Sequence, residues 1–282
     1  MVRQRIAISA IVGAVACISL LVFPPGCKQV PDTTLNNTGN GTAEFDAPGM
    51  AEDAENAFNE TPRTLERVRI SASMYAKALN VEEARSYKHL WKAARTAAWL
   101  AEYSPDDVER ERLARDGLTY ANTALKKNAE GQEALFYHAV LAGFLGDLDN
   151  SYGLDAVDKI EESMNKLIEQ DYDIARGGPW RVYGTLQIRA PGPPVSIGSL
   201  RNGKKNLEKA LEKGPDWPEN HLYLAEAEFL WATDKDKPEF AQQAQDRLDK
   251  WLLNDDAKAP AGYDFEFEHW QQLARELLNA QG

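Results

Sequence analysis

The sequence predicts an all-α protein, an array of antiparallel helix pairs with about ten helices, and three observations predict it. From Thr61 onward apolar residues recur at spacings of three and four, the repeat of one helix face. Alanines recur in seams beside large side chains, the small-against-large alternation with which two helices nest closely. No stretch carries the period-two alternation of a half-buried strand.

The first residues set the compartment. Arg3 and Arg5 form a basic start, Ile6 to Phe23 an apolar stretch of 18 residues, and Pro24-Pro25-Gly26-Cys27 follows. This is the pattern of a signal peptide, residues 1–26, that ends at a lipid-modified cysteine, Cys27. Gly26 supplies the small residue such a site needs, while Pro24 stands where a leucine-like residue is usual. Cys17, after Ala14-Val15-Ala16, is a second candidate, but cleavage there would leave Ile18 to Phe23 on the mature chain. An uncleaved anchor is the third, because such a stretch is near the lower limit for crossing about 30 Å of hydrocarbon. All three place the body outside the cytoplasm. Both cysteines of the chain lie in this region, which leaves the body without a disulfide or a thiolate ligand.

Residues 27–60 are rich in Asn, Thr, Gly, Asp and Glu and read as a disordered tether with a reach of about 30 Å. Residues 61–282 are read as a single helical domain. Thr61-Pro62 opens the first helix, with Leu65, Val68, Ala72, Tyr75 and Leu79 on one face. The second carries Ala84, Tyr87, Trp91, Ala94, Ala98 and Ala101, and Ser104-Pro105-Asp106-Asp107 starts a third that runs to about Lys127. Further helices are expected near 131–145, 155–170, 179–189, 199–213, 219–233, 238–253 and 265–280.

Gly203, Leu207, Ala210 and Pro215 fall at the spacings of the second helix of a tetratricopeptide repeat. His221, Leu224 and Ala225 then fit the first helix of a next repeat, and Phe240-Ala241 begins its second. The stretches Gly177-Gly178-Pro179-Trp180, Arg189-Ala190-Pro191-Gly192-Pro193-Pro194, Leu207-Glu208-Lys209-Ala210-Leu211 and Asn220-His221-Leu222-Tyr223-Leu224-Ala225-Glu226 resemble the T component of TRAP transporters, the TatT-like lipoproteins. With the lipoprotein start, the resemblance covers most of the chain. It implies a periplasmic lipoprotein of degenerate tetratricopeptide-like helices, a homotrimer, working beside the solute-binding P component of a transporter for organic acids. Anchorage in the outer membrane is expected from Lys28 after the lipidated cysteine.

A net charge of -12 and a pI near 4.9 argue against nucleic acid as a partner, since the average field repels phosphate. Within this acidic chain, no acidic residue lies between Asp173 and Glu208, whereas Arg176, Arg181, Arg189, Arg201, Lys204 and Lys205 do. With Trp180 and Tyr183 on the short helix expected there, Arg181, Arg189 and Arg201 are the candidates for binding a small organic acid or an acidic partner. The competing expectation is that these cations pair with acidic helices of the same chain.

Other motifs point to less. Gly198 to Lys205 approaches a phosphate-binding loop, but Lys205 replaces the hydroxyl that would hold magnesium and no strand precedes it. Asp147, Asp149, Ser151 and Asp158 echo a calcium loop, but Tyr152 sits where the turn needs Gly, and helix capping explains these residues better. His89, His138, His221 and His269 are widely separated, and no nucleophile motif is present. The sequence therefore predicts a binding protein without catalytic residues, metal or cofactor. The alternative within the same class is a scaffold lipoprotein of an envelope assembly complex that holds no small molecule.

Overall fold

The computed structural model describes residues 45–281, so Cys17, Cys27, the signal peptide and most of the tether lie outside the described residues. The described residues are helical with no strand, and successive helices pack in pairs as an array. They divide into two compact units, 45–167 and 168–281. Among the described residues no helix is long and apolar enough to cross a membrane.

The N-terminal unit begins earlier than the sequence suggests. Residues 45–60 do not continue the tether: α1 spans Ala47–Asn59, capped by the Asp46 side chain, which accepts from the Gly49 amide. Ala47, Ala51, Ala54 and Phe58, spaced four, three and four, form its buried stripe. The alanines let α2, Leu65–Ala78, come close enough for the buried Ser71 hydroxyl to donate to the Ala54 carbonyl at 2.7 Å. Helix α2 is capped by Thr64, not by the Thr61 expected.

Next come α3, Tyr87–Tyr103, capped by Ser86, and α4, Asp107–Lys127, capped by Asp106. After α5, Gln132–Leu148, α6, Gly153–Glu169, ends the unit, and the division falls in its last turn. A Cβ on Gly117 of α4 would stand 2.9 Å from that of Ala97 on α3 and 2.7 Å from Leu141 on α5. Only glycine allows these three helices to meet there. One core cluster of this unit, around Tyr75, Leu79 and Leu90, is otherwise mostly alanine.

The C-terminal unit holds α7, Gly178–Arg189; α8, Leu200–Lys213; α9, Pro218–Lys235; α10, Pro238–Leu248, which runs into a π-helical turn over Asp249–Leu253; and α11, Asp264–Asn279. Proline begins α9 and α10 and sits in the first turn of α7, where its missing N–H costs nothing. Helices α7 and α8 run antiparallel, because Gly177 lies against Ala210 while the Ser199 amide bonds the Gln187 carbonyl. They cross where Gly184 meets Gly203. The core of this unit is built of large rings and leucines. Trp217, Tyr263 and Trp270 pack on one another with ring centroids 4.8 to 6.5 Å apart.

Candidate functional site

The basic segment does form a short helix, α7, but its arginines are already committed. Arg181 lies in the core with its side chain 3% exposed, and its Nη2 meets a Glu219 oxygen at 2.8 Å, that carboxylate being 6% exposed. Its Nη1 donates to Asn220 Oδ1 at 2.7 Å and to the carbonyl of Ala175. Arg189 makes a two-bond fork with Glu226, at 2.9 and 2.7 Å, over the ring of Tyr223. Both arginines thus pair with carboxylates of α9.

The other candidates are placed as follows. Trp180 is buried beneath the Lys213 ammonium, Tyr183 is half-buried, and Arg201 is exposed in the first turn of α8. Lys204 is held by Glu208, and Arg176 lies 3.9 Å from Asp216 and over the Trp217 ring. Arg181 and Arg189 thus belong to an internal electrostatic frame, as the competing expectation of pairing within the chain has it. A carboxylate removed from water is stable only with close cationic partners, and α9 supplies the carboxylates that the segment itself lacks.

Asn220 completes this frame. Fully buried, it donates Nδ2 to the carbonyls of Arg176, Ala210 and Gly214 at 2.9 to 3.0 Å while its oxygen accepts from Arg181. His221 beside it stacks on Trp251 at 4.0 Å, donates Nε2 to the Pro215 carbonyl and accepts from Arg247 at Nδ1. Burial pushes its pKa down to about 4, and the Arg247 guanidinium acts in the same direction.

The motifs set aside in the sequence are absorbed by the fold. Ser199 caps α8 and Gly203 lies inside that helix, so Gly198 to Lys205 is no phosphate loop. Asp149 caps the turn at Ser151 and pairs with Arg115 at 2.8 Å. Among the described residues no group of three or more His, Cys, Asp or Glu could hold a metal.

The N-terminal unit contains a cavity of about 360 Å³ that the sequence reading did not single out. Helices α2 and α4 each pack on α3, and the cavity is the space between them. Its floor is Ala93, Ala97 and Leu100 of α3; Ala72, Tyr75 and Ala76 of α2 line one wall, and Leu113 and Tyr120 of α4 the other. The cleft exists because the facing positions on α2 and α3 are alanines, too short to fill the gap.

Its rim is polar. Arg69 of α2 forms a two-bond fork with Glu109 of α4, whose second oxygen also accepts from the Ser104 hydroxyl. The Arg69 bond, first among the causes, holds the Glu109 carboxyl below its usual range. One turn along, Arg112 and Asp116 pair through a single bond of 2.9 Å with side chains 60% and 49% exposed. Partial burial raises the Asp116 carboxyl above its ordinary value, because Arg112 offsets only part of that cost. The phenol of Tyr120, four residues further along the same face, is pushed up to about 12 by burial and then by Asp116. An apolar floor beneath a few charged groups is the usual anatomy of a site for small molecules. No protein-family model matches the chain, and comparison with curated proteins finds no match.

Proposed function

We propose that the chain is a membrane-tethered, non-catalytic binding protein, a periplasmic lipoprotein accessory of a TRAP-type transporter. It takes up a small organic solute carrying a carboxylate in the cleft between α2, α3 and α4 and docks the solute-binding P component. The cleft is the observation that carries this reading. Its volume falls within the range of about 300 to 1,000 Å³ typical of ligand sites, and Arg112 offers a guanidinium from a pair weak enough to open. Support for the transporter setting comes from the resemblance in residues 177–226 and from the array of helix pairs.

The lipid on Cys27 would hold the protein at the outer membrane, and the stretch from Cys27 to α1 would let it meet its partner clear of the lipid. A homotrimer belongs to the same reading. Calorimetry of the full-length chain against a panel of organic acids, with co-purification of a P component from membranes, tests it. Binding that disappears when Ala76→Trp fills the cleft supports the reading, and an empty panel with no co-purified partner overturns it. In the same preparation Cys27→Ser should move the protein from the membrane fraction to the soluble one.

A scaffold in an envelope assembly complex is the second reading, favoured by one surface of the C-terminal unit. There Leu230 is exposed beside Trp231, which contacts Phe240 edge-on at 6.4 Å. Capture of a protein partner that Trp231→Ala abolishes, with no solute bound, decides for the scaffold.

A further inference from the structure

The chemistry of the cleft goes further than a carboxylate-bearing solute. The two ion pairs on its rim differ in how much bonding capacity they leave open. Glu109 receives two N–H bonds from Arg69 and an O–H bond from Ser104, so its oxygens are occupied. Asp116 accepts one bond, at Oδ2 from Arg112 Nη1. Its other oxygen and the other nitrogens of Arg112 remain available at the mouth, and Tyr120 presents a ring one turn away.

Three classes of solute can be compared at this pair. A simple carboxylate that takes Arg112 gains one ion pair and gives up one, since Asp116 is left without its cation. A simple amine that takes Asp116 strands Arg112 in the same way. A zwitterion carries both charged groups on one carbon and re-forms each pair as it breaks the one between Arg112 and Asp116. The opened pair is an exposed i, i+4 contact, which contributes little by itself. Against the acid the net charge of -12 acts in the same direction, since it repels an anion at long range and leaves a neutral zwitterion unaffected.

We propose that this cleft receives a free amino acid, or another zwitterion of similar size, with its carboxylate on Arg112, its ammonium on Asp116 and a compact apolar side chain against the alanine floor. The alanines at 72, 76, 93 and 97 with Leu100 and Leu113 give that side chain a flat, wholly apolar bed. Tyr120 stands one turn beyond Asp116 on the same wall of the cleft. This rests on the cleft being the binding site, as proposed above.

The test uses the full-length chain and three probes of one carbon skeleton: leucine, its deaminated acid 4-methylpentanoate and its decarboxylated amine isopentylamine. Calorimetry should show leucine binding at least tenfold more tightly than either analogue. Arg112→Ala should cost leucine tenfold or more without weakening the amine, which then meets Asp116 with no competing guanidinium. Asp116→Asn should likewise weaken leucine, here without weakening the acid, which then meets Arg112 with no competing carboxylate. Because the probe comparison needs only the wild-type chain, a variant that folded poorly would not blunt it. If the acid binds as tightly as leucine, and Ala76→Trp abolishes that binding, the zwitterion assignment falls while the cleft stands. If leucine fails to bind but members of the organic-acid panel do, the same conclusion holds. If no probe and no panel acid binds, both fall.

Discussion

Arg181 and Glu219 meet inside the C-terminal unit, away from solvent and ringed by further bonds, whereas Arg112 and Asp116 meet at the mouth of the cleft in the N-terminal unit, well within reach of water. The same two charged groups serve opposite purposes in the two places. A buried pair cannot lose one member without leaving the other stranded, so it fixes geometry. An exposed pair holds its members loosely, so it can exchange them for those of a guest. The cores differ in parallel. Rings and leucines fill the C-terminal unit, while alanines on α2 and α3 leave the N-terminal unit with a space.

The contrast can be broken most sharply at Glu219. Glu219→Ala should destabilise the C-terminal unit by about 3 to 5 kcal/mol, since it strands Arg181 and also removes the acceptor of the Trp217 indole N–H. Urea denaturation followed by tryptophan fluorescence measures it, and a loss below 1 kcal/mol would show that the frame is not needed. Gly203→Ala is the next test, of packing and not of charge. Its methyl would fall 2.4 Å from the Ile188 side chain and 2.7 Å from the Gly184 carbonyl, and a cost of about 1 to 3 kcal/mol is expected in the same assay.

Histidine extends the comparison to pH. His138 of α5 and His221 of α9 are both buried with their pKa pushed down to about 4, first by desolvation, then by a neighbouring cation in His138 and, for His221, against a raising bond to Pro215. A depressed histidine pKa means that the unfolded chain binds protons first. The stabilisation is therefore complete above about pH 6.5 and is lost as the pH falls toward about 4. For each group the loss should be on the order of 2 kcal/mol by pH 5. His221→Gln should flatten that part of the stability profile, and a profile identical to the wild type would remove His221 from the account. The smallest effect is expected at Arg112. Arg112→Ala should change stability by less than about 0.5 kcal/mol, and a larger loss in thermal unfolding would place that pair with the buried ones and blur the comparison.

Much of the architecture was legible. Helices α2 to α11 lie close to where period, caps and prolines place them, because those signals act within a few residues of one another, although α2 starts at the Thr64 cap and not at Thr61. Helix α1 was missed because its buried stripe is three alanines and one phenylalanine within a polar, acidic stretch, a composition that reads as a tether until a partner helix covers it. The reversal of charge in residues 173–208 was also legible, but its meaning was not. The acids that answer Arg181 and Arg189 stand on α9, 38 and 37 residues away, and only folding brings them together. The cleft left its mark as alanines four apart on two neighbouring helices, Ala72 and Ala76 with Ala93 and Ala97, a pattern that serves equally for close approach and for an unfilled gap.

Asn220 has a consequence for motion. Its one amide holds the carbonyl of Arg176 before α7, those of Ala210 and Gly214 at the end of α8, and the guanidinium of Arg181. Opening any of these segments alone would leave a buried donor or acceptor unanswered. Fraying of α7 and of the α8 terminus is thereby made concerted, and their amides should exchange with solvent together, in one opening close in free energy to the loss of the whole C-terminal unit.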